Sequence, residues 1–201
     1  MKIGILALQG NFNKHAELCT TLGLLPVEVR YFRQLEQIQG LIIPGGESTT
    51  MTRLMERESF YPVIGEFGKS FPVLGTCAGL ILMAREVPDE RVHCLGLLDI
   101  TVNRNAFGRQ VHSFTDQLMV DTGGQVQKIP ATFIRAPGIT SLSKQVNILS
   151  VYRDKPVAVR QGLHLGLSFH PELDGVTIFH EIAFNLKPVP EAGTKQQSYA
   201  A

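Results

Sequence analysis

Two rhythms of apolar and polar residues divide the chain. In the first half, short apolar runs alternate with helix-period stripes. Residues 2–8 read as a buried strand. Asn11 or Asn13 is placed to cap a helix whose apolar stripe runs Phe12, Ala16, Cys19, Leu22. Residues 27–32 read as a second strand and 40–43 as a short third one. The turn Pro44-Gly45-Gly46-Glu47-Ser48 opens a helix over 49–57, and another helix is expected over 61–69. An apolar run at 72–74 makes a fourth strand before a helix that starts near residue 80. Strands alternating with helices in this way predict a parallel sheet covered by helices.

The second half changes rhythm. Residues 97–102, 117–120, 131–134, 146–153, 156–161 and 163–168 all read as strands, joined by short polar turns such as Arg153-Asp154-Lys155. Such spacing predicts antiparallel hairpins. Residues 176–186 read as a last helix. From residue 187 the composition turns to Pro, Gly, Gln and Ser, which predicts a disordered tail or one ordered only against a partner. The whole is expected to be an α/β fold, a single-domain mixed sheet flanked by helices over residues 1–186, with a tail over 187–201. No internal repeat or interdomain linker interrupts it.

Composition narrows the function. A chain of 201 residues fits one domain with one sizeable core. The formal net charge of +1 leaves no electrostatic footprint for nucleic acid or a membrane surface. No apolar run reaches transmembrane length, and the N-terminus lacks the layout of a cleavable signal, so a cytoplasmic protein is expected. Cys19, Cys77 and Cys94 are widely spaced and odd in number, which argues against a disulfide framework. With no C-x-x-C and no ligand spacing among the histidines, no metal is expected. Cys19 reads as core and Cys94 as packed beside a strand; His15, His93, His112, His164 and His180 match no motif and read as surface or core histidines.

One cysteine stands apart. Gly75-Thr76-Cys77-Ala78-Gly79 lies between an apolar strand and an apolar helix. A nucleophile flanked by glycines at a strand-to-helix junction is the nucleophile-elbow arrangement, here with Cys for Ser. The helix start supplies backbone N–H groups and a positive dipole end, which favour a thiolate and a developing oxyanion. A buried structural cysteine between packing glycines would leave the same pentapeptide. Near the C-terminus stands Ser168-Phe169-His170-Pro171-Glu172. On an extended backbone His170 and Glu172 would project to one side, giving a base and the group that orients it. A surface strand with a satisfied pair is the structural alternative.

Other candidates are weaker taken singly. Gly45-Gly46 can turn backbone N–H groups toward one spot, so Gly46 N–H and Ala78 N–H are candidates for an oxyanion hole; an ordinary tight turn is the alternative. No Gly-Lys-Ser/Thr follows, so this is not a phosphate-binding P-loop. Arg104, in the polar loop 104–110, and Arg135, after Phe133-Ile134, could each pair with an α-carboxylate or be plain solvated charges. Gln9-Gly10 ends the first strand, at the sheet edge where α/β sites form, or is simply a turn.

With these segments in hand, the chain resembles the class I, triad-type glutamine amidotransferases, whose fold is flavodoxin-like. The resemblance is carried by Leu8-Gln9-Gly10, Pro44-Gly45-Gly46-Glu47-Ser48-Thr49-Thr50, Gly75-Thr76-Cys77-Ala78-Gly79-Leu80-Ile81, Arg104-Asn105 with Phe107-Gly108-Arg109-Gln110, Phe133-Ile134-Arg135-Ala136-Pro137 and Ser168-Phe169-His170-Pro171-Glu172-Leu173. Within that class it is similar to the glutaminase subunits of pyridoxal 5′-phosphate synthase, over about residues 1–186. The resemblance implies hydrolysis of L-glutamine to glutamate and ammonia through a γ-glutamyl thioester on Cys77, with His170 and Glu172 completing a triad. It implies glutamine contacts at Gly46, Glu47, Ser48, Arg104, Ile134 and Arg135, and Gln9 near the oxyanion site. It implies no cofactor, pyridoxal 5′-phosphate being the product of the complex, and a separate (β/α)8-barrel synthase subunit that takes the ammonia. The chain departs from the usual pattern at Asn11-Phe12-Asn13-Lys14-His15, where Lys14 replaces an acid, and at Ala106, where the family usually has Ser. The first departure bears on partner contact. Three rival readings stay open: a glutaminase subunit of another pathway, such as imidazole glycerol phosphate synthesis; a stand-alone γ-glutamyl hydrolase; and a non-catalytic module that keeps the fold.

Overall fold

A computed structural model describes residues 1–104, 113–122 and 125–186. Its first half alternates as the pattern predicts: β1 (Lys2–Leu6), α1 (Phe12–Thr21), β2 (Leu25–Val29), β3 (Leu41–Ile43), α2 (Ser48–Arg57), α3 (Phe60–Phe67), β4 (Val73–Thr76) and α4 (Ala78–Met83). The chain continues through β5 (Ala84–Glu86), β6 (Leu98–Asn103), β7 (Phe114–Asp121), β8 (Val126–Phe133), β9 (Gly138–Leu142), β10 (Asn147–Tyr152), β11 (Lys155–Gln161), β12 (His164–Leu167) and α5 (Ile178–Ala183). A 3-10 turn at Phe32–Gln37, β5 and β9 were not expected from the sequence; each is short and lacks a clean period. Asn105 to Gln110 and the tail from residue 187 lie outside the described residues.

Seven strands form the main sheet, in the order β10-β11-β12-β4-β3-β1-β2. β2, β1, β3, β4 and β12 run parallel, and β11 and β10 add antiparallel at one edge. The expected hairpins form within the expected mixed sheet, but one strand of the second half also pairs parallel with the first half. β12 pairs antiparallel with β11 on one side but parallel with β4 on the other, Leu165 against Leu74 and Leu167 against Thr76. A local turn reveals the first pairing; nothing local reveals the second. The remaining strands form a three-stranded sheet, β5-β6-β9, and a two-stranded one, β7-β8.

Alternation along the parallel strands feeds two apolar layers. Ile3, Ile5, Ile42, Leu74, Leu165 and Leu167 face the layer completed by Phe169, Phe179 and Ile182. Leu6, Leu41, Ile43 and Val73 face the opposite layer, with Met51, Met55, Ile64 and Leu80. The helix α1 buries His15, Leu18 and Cys19, with Phe12, Ala16 and Leu22 only partly covered. The expected stripe is thus rotated, and a histidine occupies its centre. Among the described residues no helix is long and apolar enough to cross a membrane.

The sheet reverses its winding between β1 and β3, where α/β folds open a crevice at the strand carboxyl ends. The loops leaving those strands touch closely there. Gly10 has φ +92°, and a Cβ on it would lie 1.7 Å from the Gly45 carbonyl oxygen. Gly79 packs as tightly beneath the cysteine turn, where an added Cβ would lie 1.9 Å from Ile43 O. Gly65, on α3, faces open space.

These environments predict opposite outcomes for one substitution. Gly79→Ala is expected to lower stability by at least about 2 kcal/mol through overpacking against backbone. Gly65→Ala should raise it by about 0.5–1 kcal/mol through helix propensity. Urea unfolding midpoints of the two variants against the parent chain check both signs.

Candidate active site

Cys77 is held in a conformation few residues accept. Its φ of 50° and ψ of −103° carry a cost of about 1–3 kcal/mol for a side chain with a Cβ. Two bonds over-determine the turn: Cys77 N–H donates to Leu167 O at 2.8 Å, and Ile81 N–H donates to Cys77 O at 3.2 Å. The glycines explain themselves here. A Cβ on Gly75 would meet Gly79 backbone at 2.7 Å, so the elbow closes only when both are bare. Cys77 is 7% exposed, and its Sγ lies 3.7 Å from Ile134 O.

His170 follows β12 and approaches the same point. Its backbone N–H donates to Thr132 O at 2.9 Å, which fixes the chain as it leaves the sheet. The Gly45 backbone lies against the ring, since a Cβ there would sit 2.3 Å from His170 Cε1. His170 Nδ1 and Glu172 Oε1 are 2.6 Å apart, both residues being buried. The expected route to this pairing was an extended backbone. Instead Pro171–Leu173 forms a 3-10 turn with Pro171 in its first position. Proline's fixed φ starts such a turn and its missing N–H costs nothing there. The turn swings Glu172 back under the imidazole.

Burial disfavours a charged His170, but hydrogen bonds and charge from Cys77 and Glu172 outweigh it, and its pKa is pushed up to about 10. The charged form of His170 is thus favoured beside the sulfur. Burial pushes the Cys19 thiol up to about 12 and the Cys94 thiol to about 11. All three cysteines are free.

A cleft of about 610 Å³ opens over this pair. Gly46, Glu47, Ser48, Cys77, Arg104, Ile134, Arg135 and His170 line it, so the segments singled out in the sequence converge on one space. Gly10, Asn11, Gly45, Ile81 and Ser113 also line it and were not singled out as contact residues. Asn11 and Ile81 carry no chemical signature, and only their neighbours in sequence could have pointed to them. Glu172 lies behind His170, outside the cleft. Ala78 is buried at the start of α4, and Gln9 Oε1 accepts from Glu47 N–H at 3.1 Å, linking the first two loops. Arg135, at φ 44°, ends the turn that follows β8. Lys14, the departure on α1, is exposed and pairs with Glu17 at 2.7 Å.

Two acidic residues organise the rim. The Glu47 carboxylate caps α2, accepting from Thr49 N–H at 3.3 Å and Thr50 N–H at 2.7 Å. It also pairs with Arg104 at 2.8 Å, and Arg104 reaches Asp89 as well. Although partial burial pulls the other way, bonds from Thr49 and Thr50 bring the Glu47 pKa down to about 2. Bonds from Arg91 and Arg104, opposed by slight desolvation, likewise hold Asp89 below the usual carboxylate range. Among the described residues no cluster of His, Cys, Asp and Glu could hold a metal ion.

Behind the pair lies a feature that the sequence reading passed over. His15 and His180 are fully buried, and His15 Nε2 lies 3.5 Å from Glu172 Oε2. Both are core histidines, one of the two environments the sequence allows. Their positions, 165 residues apart, give no local sign of contact.

Two titrations follow. The His170 ring is expected to titrate near pH 10 by NMR in the parent chain and lower in Cys77→Ala, which lacks the sulfur that favours the charged form. An unchanged titration would show that the sulfur does not act on the ring. For Glu47, the folded value of about 2 lies below the ordinary 4.5, so its stabilisation is present above pH 4.5 and is lost as pH falls toward 2. Glu47→Ala should cost about 1 kcal/mol at pH 7, and urea unfolding at lower pH should show that gap narrowing.

Comparison with known proteins places this geometry. A family model described as the SNO glutamine amidotransferase family matches residues 5–184. The chain is 47% identical over 182 residues to the pyridoxal 5′-phosphate synthase subunit PdxT of Shouchella clausii, covering 90% of this chain and 92% of that one. It is 50% identical over 184 residues to the protein of the same name from Dehalococcoides mccartyi, covering 90% and 94%. Among solved structures, a glutamine amidotransferase superposes with a TM-score of 0.83 at 41% identity, covering 90% of this chain and 98% of that one. The PurLQS structure from Thermotoga maritima, at 20% identity and a TM-score of 0.68, shares the fold over 92% of this chain and 98% of the matched one. The chain belongs to the SNO glutamine amidotransferase family.

Proposed function

We propose that this protein hydrolyses L-glutamine to L-glutamate and ammonia, and that the ammonia serves a synthase partner in pyridoxal 5′-phosphate formation. The observation that carries the reading is the strained Cys77 turn facing His170, itself bonded to a buried Glu172, at the floor of one cleft. The relatives, whose printed names make them subunits of pyridoxal 5′-phosphate synthase, support the destination of the ammonia.

In this reading the Cys77 thiolate attacks the γ-amide carbon of glutamine. The C–S bond forms as the carbonyl π-electrons move to oxygen, and backbone N–H groups of Gly46 and Ala78 take the oxyanion. His170 gives its proton to the amide nitrogen, the C–N bond breaks, and ammonia leaves. A γ-glutamyl thioester remains on Cys77. His170, now neutral, takes a proton from water, the hydroxide adds to the thioester carbon, and glutamate departs as the thiolate is restored. Glu172 holds the imidazole in the needed tautomer. Gly46, Glu47, Ser48, Arg104, Ile134 and Arg135 are assigned to glutamine binding. Because both Glu47 oxygens are engaged by Thr49, Thr50 and Arg104, its side chain shapes the rim, leaving direct contact with glutamine to the backbone of that turn.

Every group the cycle uses comes from this chain and water, so the reading calls on no cofactor. We assign the partner as a (β/α)8-barrel synthase subunit docked over the cleft, in the cytoplasm. Nothing in the described fold beyond the glutaminase unit offers a second site for an ammonia acceptor.

Glutamate release from glutamine, with and without the synthase subunit, tests the reading. Turnover is expected to rise with the partner and to vanish in Cys77→Ala, while Glu172→Ala lowers it less. Wild-type turnover in Cys77→Ala would refute the mechanism. Equal turnover without the partner would favour a stand-alone hydrolase.

A further inference from the structure

His15 lies entirely out of solvent on α1, against the carboxylate that the proposed cycle uses. The two Glu172 oxygens divide their contacts. Oε1 meets His170 Nδ1 at 2.6 Å, while Oε2 faces His15 Nε2 at 3.5 Å. Nε2 also lies 3.3 Å from Thr76 Oγ1, and Nδ1 lies 3.0 Å from His180 Nε2. Burial, aided by the charges that His180 and His170 can carry, holds the His15 pKa well below its ordinary value, so the ring is neutral and has one N–H.

Two tautomers are available, and they are not equivalent. With the proton on Nδ1, His15 would donate to His180 Nε2. A bare Nε2 could then accept from the Thr76 hydroxyl but would also face an anionic carboxylate, and His180 would carry its proton on Nδ1, which among the described residues has no hydrogen-bond partner. A stranded buried N–H and a lone pair against a carboxylate are both costly. With the proton on Nε2, His180 Nε2–H donates to His15 Nδ1, and His15 Nε2–H lies 3.3 Å from Thr76 Oγ1 and 3.5 Å from Glu172 Oε2, a buried oxygen with no hydrogen-bond partner among the described residues. The stranded atom is then only a bare nitrogen, and the charged oxygen is the stronger of the two acceptors.

We propose that His15, in its Nε2–H tautomer set by His180, is a positioning residue that holds the Glu172 carboxylate against His170. The proposal rests on the reading of Cys77, His170 and Glu172 as the triad. The donors then converge on Glu172: His180 Nε2–H gives to His15 Nδ1, His15 Nε2–H is directed at Oε2, and His170 Nδ1–H gives to Oε1 from the other side. His15 touches neither substrate nor reacting atoms. It acts on turnover by fixing where the orienting carboxylate sits.

Two measurements test it. Long-range 1H–15N spectra of the labelled full chain read the His15 tautomer without any mutation; a proton on Nε2 is expected, and a proton on Nδ1 would overturn the proposal even if the variants fail to fold. Glutaminase kinetics in the complex with the synthase subunit supply the second. His15→Phe, which fills the space without a donor, should lower kcat by about tenfold or more with the KM for glutamine little changed. His15→Gln, which keeps an amide N–H near the Nε2 position, should recover much of that loss. In a Glu172→Ala background, His15→Phe should cost nothing further. An equal loss in both backgrounds would place the effect in the fold and overturn the positioning role alone. Full turnover in Glu172→Ala by itself would instead remove the triad reading, and the proposal with it.

Discussion

The parallel pairing of β12 with β4 is the constraint on which the site depends. Three register pairs, Leu165 with Leu74, Gly166 with Gly75 and Leu167 with Thr76, set two distant segments side by side. The last rung continues past the strands, where Cys77 N–H donates to Leu167 O. That bond anchors the strained cysteine to the strand that delivers His170 three residues later. A slip of one residue would turn every β12 side chain to the opposite face and carry His170 away from the sulfur. The small residues serve this register: Gly166 lies where a Cβ would strike Leu80 and Leu98.

Around that frame, charge is spent with partners and strain with support. The His170 ring sits between a sulfur and a carboxylate that both favour its charged form, and His15 lies behind that carboxylate, where burial favours a neutral ring. At the rim, Glu47, Arg104 and Asp89 form a chain of alternating charge that ties the loop after β3 to the loops before and after β6. The unfavourable backbone angles at Cys77 and Arg135 both fall on the cleft wall, where surrounding bonds and packing hold them. Stability and function are thus coupled at the loops: Gly10 against Gly45, and Gly45 against His170, leave no room for side chains.

How much of this could be read beforehand depended on range. The cysteine between Gly75 and Gly79 announced a turn because both signals lie within five residues. His170-Pro171-Glu172 announced a pair, although the backbone that joins them is a 3-10 turn and not a strand; proline licensed either conformation. The short strands β5 and β9 were invisible, since Ala84-Arg85-Glu86 and Gly138-Ile139-Thr140-Ser141-Leu142 lack the continuous apolar run that marked the short β3. His15 was hidden for a different reason. A histidine on an amphipathic helix looks alike whether it meets solvent, core or a carboxylate, and its partners Glu172 and His180 lie at the far end of the chain.

The sequence by itself determined the alternation of strands and helices, the glycine-flanked nucleophile and the chemical types gathered for the site. Each follows from interactions within a few residues: side-chain period, turn sterics and the donor or acceptor character of a side chain. Only the tertiary structure decided which strands are neighbours, which way the last strand runs beside the fourth, and which buried histidine backs the carboxylate. Those choices are set by packing two apolar faces of one sheet and by bringing buried polar groups such as His15 and His180 together, conditions that involve residues up to 165 positions apart and are met only by the whole chain at once.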